Sequence, residues 1–279
     1  MLTGQESIIN DSHHSSLDSR IGLKEIAIFP VKSCGAFKIK SGWMIGPKGF
    51  EFDREWMIVN DNRVCLTQKQ NTRMCMIQPT QTSLSTSKTS SLCQSKICAD
   101  SVKGHDCGDS VADWISEALE VSFLRLIRQA STDGRSRKKN DEVKQKMLSL
   151  SNQAQYLLIN KATVRWLCGK IRDPLFTDAI DDLVDRFRAN LIIDMETELA
   201  ERDWNKVVIG KHEFKMVCID QRTGEKTVEP LRTIAEQFAG KLRFGIYLSY
   251  VGTIDGSKDR SLKTNTSIRP KVSSDDEIS

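Results

Sequence analysis

Apolar and polar positions repeat with a short period through the first half of the chain and with a mixed period in the second. Leu23–Phe29 is a partly alternating apolar segment that stops at Pro30, whose missing amide cannot extend a ladder, so the spacing predicts a strand followed by exposed backbone. Phe37–Trp43 and Glu55–Asn60 read as further strands, punctuated by Gly35, Gly46, Pro47 and Gly49. Short strands with tight turns predict a barrel or sandwich. Thr80–Ser91 has too little apolar surface to order itself and reads as a loop inside the first domain. Val111, Trp114, Ile115, Ala118 and Leu119 recur at helical spacing behind Asp109-Ser110, and Ser110 with Asp113 resembles a capping box. Val121–Ile127 returns to strand character.

The second half has a buried-strand pattern at Tyr156–Ile159 and helix-compatible residues from Ala162 to Cys168. Ile180, Leu183, Val184 and Phe187 fall at i, i+3, i+4 and i+7, which marks a helix face, and Leu191–Ile193 follows as a strand. Residues 1–20 and 255–279 hold few apolar positions and are expected to be disordered tails. The expected organisation is a β-rich domain over 21–130, a polar linker over 131–147 and a second domain over 148–254. Arg135, Arg137, Lys138 and Lys139 lie in that linker and read as a solvated basic run. The fold class predicted is mainly β with peripheral helices, an α+β arrangement.

Composition narrows the functional classes. At 279 residues, 39% of them hydrophobic and 28% charged, the chain can bury a real core. Its net charge of +4 arises from 41 basic against 37 acidic residues, too balanced to make nucleic acid the default partner. No apolar run approaches the ~20 residues of a membrane span, and the polar N-terminus lacks a signal pattern, so a cytoplasmic protein is expected. Eight cysteines without paired spacing suit a reducing compartment. Cys107, following His105-Asp106, lacks the Cys-x-x-Cys knuckle that would make zinc with Cys93 and Cys98 attractive.

Three junctions share a chemical style. Lys32-Ser33-Cys34-Gly35 follows the first strand, Asp53-Arg54 precedes another, and Arg188-Ala189-Asn190 joins a helix to a strand. Lysine supplies a point charge and arginine a planar fork, a set suited to a phosphate beside a polar heterocycle; surface salt bridges are the competing reading.

The ordered series Phe29-Pro30-Val31-Lys32-Ser33-Cys34, Phe52-Asp53-Arg54-Glu55-Trp56, His105-Asp106-Cys107-Gly108, Phe187-Arg188-Ala189-Asn190 and Cys218-Ile219-Asp220-Gln221-Arg222-Thr223-Gly224 resembles the MOSC family. Within it, the chain is similar to the C-terminal region of the eukaryotic molybdenum cofactor sulfurases, with the mitochondrial amidoxime-reducing proteins more distant. The resemblance implies a β-rich MOSC N-terminal domain, a MOSC β-barrel and molybdopterin bound between them. It further implies that Lys32, Ser33 and Arg54 contact the terminal phosphate, that Arg188 and Asn190 contact the pterin or its phosphate, and that Thr67, Gln68 and Lys69 form another cofactor-facing segment.

The chain also departs from the family pattern. A turn with a Cys-x-Arg-Cys pair, one cysteine of which is the expected molybdenum or sulfur ligand, is missing where Gly210–Lys215 runs straight into Met216, which leaves the metal ligand unassigned. Cys218 is then either a substitute thiol or an inert strand cysteine. Cys34, beside Lys32, is either a core thiol or a persulfide relay with a lowered pKa. The pyridoxal-phosphate desulfurase domain of full-length relatives has no counterpart before Ile21, so this chain is expected neither to bind pyridoxal phosphate nor to abstract sulfur from cysteine alone. It then reads as a separated cofactor-binding half, an isoform or an incomplete gene model.

The function implied is molybdenum cofactor binding and sulfuration, forming Mo=S for xanthine dehydrogenase and aldehyde oxidase, with a cysteine desulfurase domain and such molybdenum hydroxylases as partners. The alternatives are a non-catalytic molybdopterin-binding or regulatory module and an amidoxime-reducing molybdenum oxidoreductase.

Overall fold

A computed structural model describes residues 21–80, 92–97, 100–134, 147–151, 154–173, 176, 179–216, 231–238 and 244–272. The first half supplies strands β1 (Leu23–Ile28), β2 (Phe37–Ile39), β3 (Gly42–Gly46), β4 (Gly49–Phe50), β5 (Trp56–Val59), β6 (Leu92–Ile97) and β7 (Asp100–Asp106), then helix α1 (Asp109–Leu119) and β8 (Arg125–Gln129). The second half supplies β9 (Tyr156–Asn160), α2 (Lys161–Cys168), α3 (Ile180–Phe187), β10 (Leu191–Ile193), β11 (Trp204–Ile209) and β12 (His212–Met216). It continues through α4 (Leu231–Gln237), β13 (Ile246–Thr253), β14 (Ser261–Lys263) and β15 (Ile268–Val272). The mainly β class expected from the alternating segments holds, with helices at the margins.

The strands form an eight-stranded sheet in the order β15-β11-β12-β13-β9-β10-β1-β2, a four-stranded sheet β5-β8-β7-β6 and a three-stranded sheet β14-β3-β4. The large sheet crosses the boundary drawn at residue 130, because β1 pairs antiparallel with β10, Ile26 lying opposite Leu191. This pairing brings the end of β1 beside the start of β10. The segments Phe29–Gly35 and Arg188–Asn190, more than 150 positions apart in sequence, therefore become neighbours: Cys34 and Arg188 are separated by 154 positions yet share a hydrogen bond.

Three local expectations need correction. Residues 255–279 were expected to lie outside the fold, yet β14 pairs with β3 and β15 pairs with β11. Leu262 and Ile268 supply the apolar anchors, both buried, within an otherwise polar segment. The capping box at Ser110 does not form: Gly108, with φ 97°, is the N-cap, and its N–H donates to Asp106 Oδ1 at 2.9 Å. On α1 the buried face is Ala112, Ile115 and Leu119, whereas Trp114 is exposed, and the strand expected from Val121 begins only at Arg125.

The main core lies against the large sheet. Tyr156 at its centre meets Phe50 and Phe214 edge to face, with centroids 5.0 and 5.3 Å apart. Such pairs contribute about 0.5–1.5 kcal/mol beyond the area they bury. The Tyr156 hydroxyl is buried without a hydrogen-bond partner among the described residues, which subtracts from that gain. A second cluster packs Val164 and Leu167 of α2 against Leu183 and Val184 of α3, fixing the helix that ends at Arg188. The smaller sheet is tied by Asp106, which accepts from Arg125 at 2.8 and 2.9 Å and from Arg63 at 3.4 Å. Burial alone would raise the Asp106 carboxyl, but Arg125, the Gly108 N–H and Arg63 together hold it below the ordinary range.

Two stability measurements follow from these contacts. Tyr156→Phe removes only the unpartnered hydroxyl, so its melting temperature should equal or exceed that of the parent; a fall of several degrees would show that the hydroxyl is satisfied. Because the folded pKa of Asp106 lies below the unfolded one, its contribution is complete above the ordinary carboxylate range and lost as pH falls through the folded value. Asp106→Asn should therefore cost roughly 1–2 kcal/mol in urea unfolding at neutral pH and much less in strong acid; equal losses at both pH values would contradict this.

Candidate functional site

Three of the residues singled out by sequence, Ser33, Arg54 and Arg188, hold left-handed backbone conformations, with φ of 69°, 51° and 57°. Side chains of L-residues enter this region at an energetic cost, so the surrounding contacts must hold them there. For Arg188 the cause is local: it is the C-cap of α3, and its N–H closes on Asp185 O at 3.1 Å. Phe187 stacks on Phe244 at 4.2 Å just before it, pinning the last helical turn. Arg54 sits in a tight turn whose Phe52 N–H donates to Glu55 Oε1 at 2.9 Å.

The buried carboxylate of Asp53 organises the junction. Its Oδ1 accepts the Phe29 N–H at 2.8 Å, and Arg54 Nη1 donates to Oδ1 at 2.9 Å and Oδ2 at 2.6 Å. Burial pushes the Asp53 carboxyl up, while Arg54 opposes that shift. The same Nη1 donates to Asn190 Oδ1 at 3.0 Å, and Nη2 donates to the Arg188 carbonyl at 2.9 Å. Asn190, only 2% exposed, also accepts the Leu157 N–H and donates its Nδ2 to Ala27 O at 3.1 Å. Its side-chain amide is thus engaged by the fold through both its oxygen and its nitrogen.

Arg188 differs from Arg54. Its Nη1 donates to Cys34 O at 2.6 Å, and among the described residues it has no carboxylate at ion-pair distance. Both guanidinium carbons lie 4.3 Å from the centroid of the Phe29 ring. Desolvation, reinforced by the charge of Arg54, pushes Arg188 down to about 10, which still leaves it cationic at neutral pH. A part-buried cation with a like charge beside it, and no carboxylate at ion-pair distance among the described residues, has the chemistry to receive an anion with several acceptor oxygens. The donor set therefore fits a phosphate-bearing molecule.

The other expected residues surround this centre unequally. Lys32 is buried and donates Nζ to Leu150 O at 3.0 Å, and the Ser33 hydroxyl has no hydrogen-bond partner among the described residues. The segment of Thr67, Gln68 and Lys69 reaches the turn through a 3₁₀ helix, Thr72–Met76, because Gly35 N–H donates to Ile77 O at 2.8 Å. A β-carbon on Gly35 would lie 2.5 Å from the amide end of the Gln78 side chain, which would have to swing aside to admit it. Thr67 turns inward on Gln70, Gln68 Oε1 accepts the exposed Cys75 thiol at 3.5 Å, and Lys69 is exposed.

Cys34 does not have the lowered pKa that Lys32 suggested. It is fully buried among Ile58, Met74, Ile115, Leu119 and Leu124, and desolvation pushes its thiol up to about 12 against the opposing charge of Arg188. Cys218 lies outside the described residues. The sequence reading passed over Phe29, whose ring carries both guanidinium groups, and the role of Asp53 as organiser. The signal for the latter was a carboxylate next to arginine within the aromatic run Phe52–Trp56.

Residues 21–122 match the MOSC N-terminal beta barrel domain and residues 145–279 match the MOSC domain. Among curated proteins, the chain is 64% identical to the molybdenum cofactor sulfurase of Bombyx mori over 295 residues, covering 94% of this chain and 36% of that relative. It is 45% identical to molybdenum cofactor sulfurase 3 of Aedes aegypti, covering 85% of this chain and 35% of the relative. The molybdenum cofactor sulfurase of Anopheles gambiae is 41% identical, with 82% and 34% covered. The chain thus spans about a third of the length of these relatives. With both domain matches in sequence order and close identity along nearly its whole length, the chain belongs to the MOSC family.

Proposed function

We propose that this chain binds the molybdenum cofactor as the receiving half of a molybdenum cofactor sulfurase, with molybdopterin as its substrate rather than a resident group. The single observation that carries this reading is the Arg188 guanidinium, part-buried beside Arg54 and without a counter-ion among the described residues. In this reading Arg188 and the Ser33 hydroxyl hold the phosphate, Lys32 adds charge from the neighbouring turn, and Arg54 with Asn190 fixes the direction of Arg188. The exchange of a molybdenum oxo for a sulfido group is chemistry of the cofactor, and the protein supplies binding and orientation.

Sulfur then arrives from outside this chain, from a cysteine desulfurase domain of the kind that the resemblance implies, and the product activates molybdenum hydroxylases such as xanthine dehydrogenase and aldehyde oxidase. A second reading is favoured by one observation: the Cys34 thiol is buried and pushed up to about 12, unsuited to carrying sulfur. On that reading the chain binds molybdopterin without taking part in the sulfur step.

Both readings require cofactor retention. Purified from a host that makes the cofactor, the parent chain should retain pterin and molybdenum, and Arg188→Ala should retain at least roughly tenfold less, since it loses a charge-assisted contact. Equal, negligible amounts in both proteins would contradict the binding claim. Transfer of sulfane sulfur from an added desulfurase to the retained cofactor separates the first reading from the second.

A further inference from the structure

A cavity of about 760 Å³ opens beside β4 and β5, and none of its lining residues belongs to the Lys32–Gly35 turn or to Arg54, Arg188 or Asn190. Its size is that of a small-molecule site. Phe50, Phe52 and Trp56 form aromatic walls, and Leu126 and Val111 add aliphatic surface. His105 and Cys107 line the same space.

The charges in this cavity are not equivalent. Arg128 donates through Nη2 and Nε to Glu55 Oε2 at 2.9 and 3.3 Å, and Glu55 Oε1 accepts the Phe52 N–H, so both Glu55 oxygens are engaged while its charge still acts on Lys48. The Arg128 guanidinium lies 4.7 Å from the Trp56 ring and 5.9 Å from the Phe52 ring, forming a flat cationic surface next to the aromatics. Lys48 is half-buried, and its Nζ donates only to the Ala130 carbonyl at 3.3 Å, with no carboxylate at ion-pair distance among the described residues. Glu51 stands exposed on the rim. Burial holds the Lys48 ammonium below its ordinary pKa, with the carboxylates of Asp133 and Glu55 opposing that shift from beyond ion-pair distance.

We propose that this cavity binds a small planar aromatic acid, its ring against Phe52 and the Arg128 guanidinium and its carboxylate on Lys48. Flat apolar walls favour an aromatic body, and the Lys48 ammonium, without a carboxylate at ion-pair distance among the described residues, selects an anionic end. The site is separate from the proposed cofactor site and does not depend on that reading.

The test is ligand-observed saturation-transfer NMR on the full chain with 2-naphthoate and, as the uncharged comparison, 2-naphthalenemethanol. Naphthoate should bind with a Kd on the order of 0.1–1 mM, at least about fivefold tighter than the alcohol. Lys48→Gln should remove that preference without altering alcohol binding, Lys48→Arg should keep it, and Arg188→Ala should leave both ligands unaffected. The proposal is overturned by absence of naphthoate binding at about 5 mM, by a preference that survives Lys48→Gln, or by loss of binding in a folded Arg188→Ala protein.

Discussion

The buried carboxylate of Asp53 is the contact on which the geometry of the arginine site depends. It caps the backbone at the end of β1 through Phe29 and holds Arg54 by both its oxygens. Arg54 in turn reaches across to Asn190 and to the carbonyl of Arg188. Removing one member of a buried, hydrogen-bonded ion pair typically costs about 3–5 kcal/mol, because the remaining charge is left desolvated. Through Arg54 the pair also joins its turn to the Arg188–Asn190 junction of the second half, so its loss would loosen that junction as well as cost stability.

This arrangement separates two roles that charge alone would merge. Arg54 faces a carboxylate, an amide and a carbonyl, and acts on Arg188 by holding its backbone. Arg188 offers its charge to whatever enters. Burial and its like-charged neighbour both weigh against the charged form of Arg188, and a bound anion would offset that cost.

Much of the site was legible in the sequence because its members lie at boundaries between periodic segments. Pro30 stops β1, the Phe187 face ends α3, and the polar residues that follow are where side chains converge. What periodicity could not reveal was which partner each residue takes. Asn190 looks like a ligand contact in sequence, yet pairing of β10 with β1 on one side and β9 on the other brings Ala27 and Leu157 against its amide. Cys34 looks activated beside Lys32, but the pre-helical segment around Met74 and helix α1 close over it and bury the thiol. The strands β14 and β15 were missed for a related reason. Each has a single buried apolar anchor, so their order comes from ladder partners far away in sequence, β3 and β11.

The central claim, that Arg54 acts by aiming Arg188 and not by its charge alone, is tested most directly by calorimetric titration of pyrophosphate into the parent chain and Arg54→Lys at fixed ionic strength. The substitution keeps the positive charge and removes the planar fork that spans Asp53, Asn190 and the Arg188 carbonyl. The account predicts affinity at least roughly tenfold weaker in a folded Arg54→Lys protein. Equal affinity in the two proteins would contradict it.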